Sequence, residues 1–146
     1  MIFTVAKKDD LTDWLEMALA LWSYESKEEM ESLFHTLYTS DNDEMLIART
    51  DEGIGAGFAN ISIRKDYVEG SNSNPVGYIE GIYVKPEFRK QGIAKKFIEL
   101  AEDWSRQRGC KELGSDTEIE NLESQNFHKH IGFGGESHIV HFIKRI

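Results

Sequence analysis

A mixed α/β fold, built as a single domain, is the class this sequence predicts. Three observations carry it. Short β-rich runs alternate with longer stretches of helical period along the chain. The length, 146 residues, suits one domain with a real core. No internal repeat, linker or low-complexity tract divides it.

Ile2 to Val5 reads as a short strand. Asp9 or Asp10 caps a helix from about Leu11 to Ser23, with Leu11, Trp14, Leu15, Ala18, Leu19 and Trp22 as its stripe. Ser26 caps a second helix, Lys27 to about Tyr38, and Glu29 suits a capping box. Leu33, Phe34, Leu37 and Tyr38 form its inner face. After the turn at Asp41-Asn42-Asp43, Glu44 to Thr50 reads as a strand and Asp51-Glu52-Gly53 as a hairpin signal. Gly55 to about Lys65 is a longer strand, in which Phe58, Asn60, Ser62 and Arg64 alternate against Ala59, Ile61 and Ile63. A polar loop, Glu69 to Pro75, follows.

The chain is organised around Tyr78 to Trp104. Ile79, Ile82, Tyr83 and Val84 are β-formers, and Lys85-Pro86 stops that strand. Arg89-Lys90-Gln91-Gly92-Ile93-Ala94 makes a turn. Ile93, Phe97, Leu100, Ala101 and Trp104 then recur at helical spacing, to about Arg108, where Gly109 caps the end. The first turn of a helix offers unpartnered N–H groups at the positive end of its dipole, where an anion such as a phosphate fits. Small Gly92 and Ala94 permit close approach, and Arg89, Lys90, Lys95 and Lys96 add positive charge. A plain tight turn with a solvated basic edge is the other reading of these residues. Lys111 to Ser115 is a further strand, Glu120 to about His130 a helix ended by Gly132, and Ser137 to Lys144 a final strand carrying Ile139, Val140, Phe142 and Ile143.

Composition narrows the function. Hydrophobic content of 40% is ordinary for a globular chain, and no apolar run approaches the ~20 residues that span a bilayer. Met1-Ile2-Phe3-Thr4-Val5 has neither the basic start nor the long apolar region of a secretory signal. Cys110 is the single cysteine, which excludes an internal disulfide and fits a reducing cytoplasm. The net charge of −9 argues against nucleic acid and is compatible with a cationic substrate. His130, His138 and His141 lack convincing metal spacing, so no metal is expected.

Arg89-Lys90-Gln91-Gly92-Ile93-Ala94 resembles the Arg/Gln-x-x-Gly-x-Gly/Ala motif of the GNAT superfamily of N-acetyltransferases. Glu80-Gly81-Ile82-Tyr83-Val84, the Ser115-Asp116 pair, Asn121 and the early Leu21-Trp22 resemble, more narrowly, the chromosomal type of bacterial aminoglycoside 6'-N-acetyltransferase. The similarity covers nearly the whole chain. It implies the acyl-CoA N-acyltransferase fold: a mixed, mostly antiparallel central sheet, splayed between the fourth and fifth strands and flanked by helices. It implies acetyl-coenzyme A as co-substrate, an aminoglycoside as acceptor and a homodimer, with no membrane partner.

The resemblance also implies roles. Arg89, Lys90, Gln91, Gly92, Ile93, Ala94 and Lys95 would hold the pyrophosphate. Ile82, Tyr83 and Val84 would lie along the pantetheine, with the amide near Val84 as oxyanion donor, and Asn121 would bond the pantetheine arm. Glu80 and Asp116 would meet the 6'-amine, one of them as general base through water. Trp22 and Tyr67 would form an aromatic wall and Glu136 a further acceptor contact. Asp66, Glu69, Glu118 and Glu120 could deepen a negative pocket. The run from Asn121 through Ser124, Phe127 and His128 to Phe133 resembles the second coenzyme motif, with one departure: His128 stands where many members carry the tyrosine that protonates the departing thiolate. On the residues alone, each has a plainer reading, as a cap, a packing aromatic or a solvated acid. Two other functions stay open: acetyl transfer to another amine, such as a polyamine, an amino sugar or a protein N-terminus, and a non-catalytic coenzyme sensor.

Overall fold

A computed structural model describes residues 1–146. One sheet contains β1 (Ile2–Val5), β2 (Asp43–Arg49), β3 (Gly55–Arg64), β4 (Val76–Val84) and β5 (Leu113–Ser115), in that order across the sheet. The first four strands pair antiparallel, and β5 joins β4 in parallel. A parallel neighbour requires a crossover. Here α3 (Ile93–Gln107) supplies it, while α1 (Leu11–Leu21) and α2 (Lys27–Tyr38) follow β1, and α4 (Leu122–His130) follows β5.

The sheet is covered on both faces, and β3 carries the evidence. Gly55 to Ser62 are all buried. Successive side chains leave a strand on opposite faces. Phe58 joins Trp14, Ala18, Met30, Phe34 and Ile47 in a core under α1 and α2. Ala59 and Ile61 join Ile79, Phe97, Ala101 and Trp104 in a second core under α3. Asn60 is buried too, and its Oδ1 accepts from the Trp14 indole N–H at 3.2 Å.

Caps explain two of the helix starts, those of α2 and α4. Ser26 Oγ accepts from the Glu29 N–H at 3.1 Å, and Glu29 Oε2 accepts from the Ser26 N–H at 3.2 Å, the expected box. α1 departs from expectation. Asp10 holds the capping position, but its carboxylate turns back to the Lys7 N–H and to Arg49 and so does not cap α1. That helix stops at Leu21, two residues short of Ser23, because Trp22 leaves the helical region at ψ 67°. α3 buries Ile93, Phe97, Ala101 and Trp104 as its stripe requires, and Gly109 ends the turn beyond it at φ +81°.

The largest correction concerns the C-terminus. The expected strand from Ser137 to Lys144 is absent: residues 134–146 form neither helix nor strand. Ile139, Val140, Phe142 and Ile143 are 66 to 86% exposed. Apolar alternation makes a strand only against a ladder with free N–H and C=O groups. In the single chain no ladder takes this segment up.

Phe97 is fully buried between α3 and the sheet and meets Phe3 edge-on, ring centroids 5.2 Å apart. Truncation to Phe97→Ala is expected to cost about 3–5 kcal/mol of stability, read as a lower urea midpoint with an unchanged m value.

Candidate active site

The site begins where β4 and β5 part. Their ladder has three pairs, Gly77–Leu113, Tyr78–Gly114 and Ile79–Ser115. Beyond Ile79, β4 keeps β3 on one edge and has no strand on the other. A groove of about 890 Å³ opens there. Its walls are β4 from Ile79 to Val84, the segment from Phe88 to Lys95, residues Ser115 to Glu118, and one face of α4. Trp22 closes it from the α1 side, with its indole lying against Gly81. A Cβ at Gly81 would sit 2.5 Å from that ring, so the position admits no larger side chain without moving the wall.

The open edge has chemical content. The Lys85 N–H donates to the Ala56 carbonyl at 2.9 Å, on the β3 side. Neighbouring residues of a strand aim their N–H groups at opposite edges. The Val84 N–H therefore faces the opening, and so does its carbonyl, which accepts from Arg89 Nε at 3.0 Å.

At one end of the groove lies the glycine turn. Pro86–Phe88 form a short 3-10 turn, Lys90 sits at φ +60° and Gly92 at φ +82°. Gly92 is the residue before α3 and has no side chain with which to cap it. The Lys96 N–H reaches the Gly92 carbonyl, while those of Ile93, Ala94 and Lys95 meet no protein acceptor. Arg89, Lys90 and Lys95 line the same place. This end suits an anion.

The other end is acidic. β4 carries a bulge: Asn60 pairs with Gly81 and Ile61 with Ile79, so Glu80 is the extra residue. The bulge turns Glu80 outward between buried neighbours. Glu80 Oε1 accepts from Ser62 Oγ at 2.6 Å and Arg64 Nε at 2.8 Å, and Oε2 accepts from Arg64 Nη2 at 2.7 Å. The Arg64 guanidinium also stacks on Tyr78, 3.4 Å from the ring centre. The Tyr78 hydroxyl donates to Asp116 Oδ2 at 2.6 Å. One connected group thus runs from Glu80 to Asp116. Burial, and then the bond to Asp116, push the Tyr78 phenol well above its ordinary range. Along β4, about 13 Å of strand separates Glu80 from Val84 at 3.3 Å per residue.

His128 reaches the groove from α4, beside Ser115. Its Nδ1 is 2.7 Å from the Ser124 carbonyl, an acceptor only, so Nδ1 carries hydrogen. Nε2 faces Ser115 Oγ at 2.8 Å. Asn121 caps α4, its Oδ1 accepting from the Ser124 N–H at 3.0 Å, and lines the groove as well. Trp22, Glu80, Ile82, Tyr83, Val84, Arg89, Lys90, Gly92, Ile93, Ala94, Lys95, Asp116, Asn121 and His128 all border this space. Gln91 is exposed beside the turn, its amide near the Glu87 carbonyl. Tyr67 and Glu136 lie outside: Tyr67 is 77% exposed, and Glu136 pairs with Lys129 and His138. Ser62, Arg64 and Tyr78 escaped sequence reasoning as site residues. Their signal was faint, since Ser62 and Arg64 are simply two polar residues on one face of β3.

A helix start without a cap, beside a split sheet edge, suits the phosphates and the arm of an acyl-coenzyme A, the ligand of an acyltransferase. The chain belongs to the acetyltransferase (GNAT) family, whose model matches residues 10–133. It is 35% identical over 145 residues, 99% of each chain, to an aminoglycoside N(6')-acetyltransferase type 1 of Serratia marcescens. The solved apo structure of an aminoglycoside antibiotic 6'-N-acetyltransferase from Acinetobacter haemolyticus superposes with TM-score 0.95 at 36% identity, covering 100% of this chain and 99% of that one. A complex of AAC(6')-Iy with the bisubstrate analogue CoA-S-monomethyl-acetylneamine superposes with TM-score 0.94 at 34% identity, covering 99% and 98%.

Tyr78 gives a pH test. In the unfolded chain its phenol ionises near 10, whereas the folded site holds the proton to higher pH. Its contribution to stability is thus complete below that pH and is lost as pH rises further. Tyr78→Phe is expected to flatten the fall of unfolding free energy above about pH 10, measured by urea titration at successive pH values.

Proposed function

We propose that this protein transfers the acetyl group of acetyl-coenzyme A to the 6'-amino group of an aminoglycoside, by direct attack in a ternary complex. One observation carries the reading: a single groove joins a basic, uncapped helix start to a pair of carboxylates, with an unpaired strand edge between them. Names borne by relatives that match almost the whole chain support the choice of acceptor.

In this reading Arg89 to Lys95 hold the pyrophosphate on backbone amides and cations. Ile82, Tyr83 and Val84 run beside the pantetheine, and Asn121 meets it from α4. The amine loses its proton to Glu80 or Asp116 through water, because an ammonium has no lone pair. It attacks the thioester carbonyl, and the Val84 N–H receives the developing oxyanion. As the carbon–sulfur bond breaks, the attacking nitrogen gives its second proton to water, leaving the amide, and the thiolate takes a proton from the His128 imidazolium relayed through Ser115. Holding both reactants in one groove makes a covalent enzyme intermediate unnecessary. Trp22 forms a wall for the sugar rings.

Glu80→Gln and Asp116→Asn are expected to keep coenzyme A affinity in calorimetry, while each lowers tobramycin turnover by about 10²-fold or more. Wild-type protein that binds the coenzyme yet modifies no 6'-amino aminoglycoside would refute the substrate. Turnover on a polyamine or peptide panel instead would favour another amine, and no turnover on any amine a sensor.

We also propose a homodimer in a reducing cytoplasm. Cys110 is a buried free thiol, which suits that compartment. The tail from Ile139 to Ile143 is apolar and exposed, and β5 leaves one edge open at the rim of the sheet. Pairing across a two-fold axis would cover both. Deleting residues 137–146 is expected to convert a dimer to a monomer in analytical ultracentrifugation; a full-length monomer would refute the pairing.

A further inference from the structure

We propose that Arg64 is a positioning residue of the acceptor site: forked on Glu80 and stacked on Tyr78, it fixes that carboxylate and offsets one of the two negative charges that meet the incoming amine. The inference rests on the acetyl-transfer reading above and extends it to a residue outside the family motifs considered there.

The geometry requires arginine. Nε and Nη2 meet the two oxygens of Glu80 at 2.8 and 2.7 Å, a two-point fork that a lysine ammonium cannot reproduce. The flat guanidinium also covers Tyr78, whose hydroxyl holds Asp116. Removing Arg64 would leave Glu80 with Ser62 as its only partner.

Charge supplies the functional argument. Glu80 and Asp116 together carry two negative charges, and Arg64 returns one positive. An amine set between two uncompensated carboxylates binds well but as an ammonium, because each opposite charge favours its charged form. That form cannot attack a thioester. A cation beside the pair weakens this hold on the proton while leaving net negative charge to attract the substrate. The other charged and titratable groups around this end are Tyr24, which lines the groove from beyond α1, Tyr78 on β4, Glu118 after β5, and Glu123, His128 and His130 on α4. Of the two partners of Glu80, Ser62 is neutral and Arg64 is charged and joined to it by two bonds.

The test is steady-state kinetics of Arg64→Met and Arg64→Lys with tobramycin and acetyl-coenzyme A across pH, on protein whose circular dichroism matches wild type. In Arg64→Met, kcat is expected to fall by about tenfold or more with KM for tobramycin unchanged or lower, and the acid limb of kcat to move up by about half a pH unit or more. Arg64→Lys is expected to restore the limb and only part of kcat, since it returns the charge without the fork. Loss of stability alone would move neither the limb nor the split between kcat and KM. Unchanged kcat and limb in Arg64→Met, or a rise in KM as the main effect, overturns the inference. If Arg64→Met does not fold, a wild-type kcat in Arg64→Lys overturns the fork. Wild-type turnover separates the two failures: without it the acetyl-transfer reading falls and this one with it, whereas normal turnover with unaffected variants removes Arg64 alone.

Discussion

A parallel ladder that ends after three pairs governs the rest of this molecule. A β-strand inside a sheet normally has partners on both edges, and unpaired N–H and C=O groups are costly when no partner or water reaches them. From Glu80 onward, β4 has lost its neighbour on one side. The parted strands turn a structural defect into a binding edge, because the free amides point into a groove instead of a ladder. The α3 start faces the same opening, so two sets of unsatisfied donors converge. Neither set would be usable if β5 continued alongside β4 to Val84.

The division of charge follows from the same geometry. A chain of net charge −9 keeps Arg89, Lys90 and Lys95 at the α3 end of the groove and Glu80, Asp116 and Glu118 toward the other. A polyanionic coenzyme and a polycationic acceptor would compete for a mixed surface. In the proposed reaction, separation along about 13 Å of β4, at 3.3 Å per residue, would let each find its own end. The bulge at Glu80 completes the arrangement. In an unbroken β4 the alternation would continue through residue 80, and the outward turn of its carboxylate depends on the inserted residue.

Local features were legible in the sequence and relations between strands were not. The Ser26 and Glu29 capping box, the α3 stripe and the turn before it at Gly92 each depend on residues within a few positions of one another. Alternation in β3 was also visible, but not that both faces would be buried, since that depends on which helices arrive from elsewhere. Glu80 stood out as an acid among apolar neighbours. Its bulge is a mismatch of register between two chain segments and has no signature in either alone. Arg64 became a site residue only when β3 was laid beside β4. The C-terminal segment shows the converse error: its alternation is genuine strand chemistry, yet a pattern predicts a strand only where an edge exists to receive it.

The setting of His128 constrains the last step of any transfer through this groove. A backbone carbonyl holds Nδ1, which makes that nitrogen the permanent donor and leaves Nε2 to Ser115. In the neutral ring Nε2 has no hydrogen to give, so it accepts from the serine hydroxyl. Only the imidazolium can send a proton outward by this route, and its nearest hydrogen-bonded receiver is Ser115 Oγ at 2.8 Å. A tyrosine in the same place would donate directly from its own hydroxyl. In the proposed transfer, this locked imidazole would tie thiolate protonation to the charge state of the ring and to a serine at the point where β4 and β5 part. The junction that opens the groove thereby also reaches the group that would close the reaction.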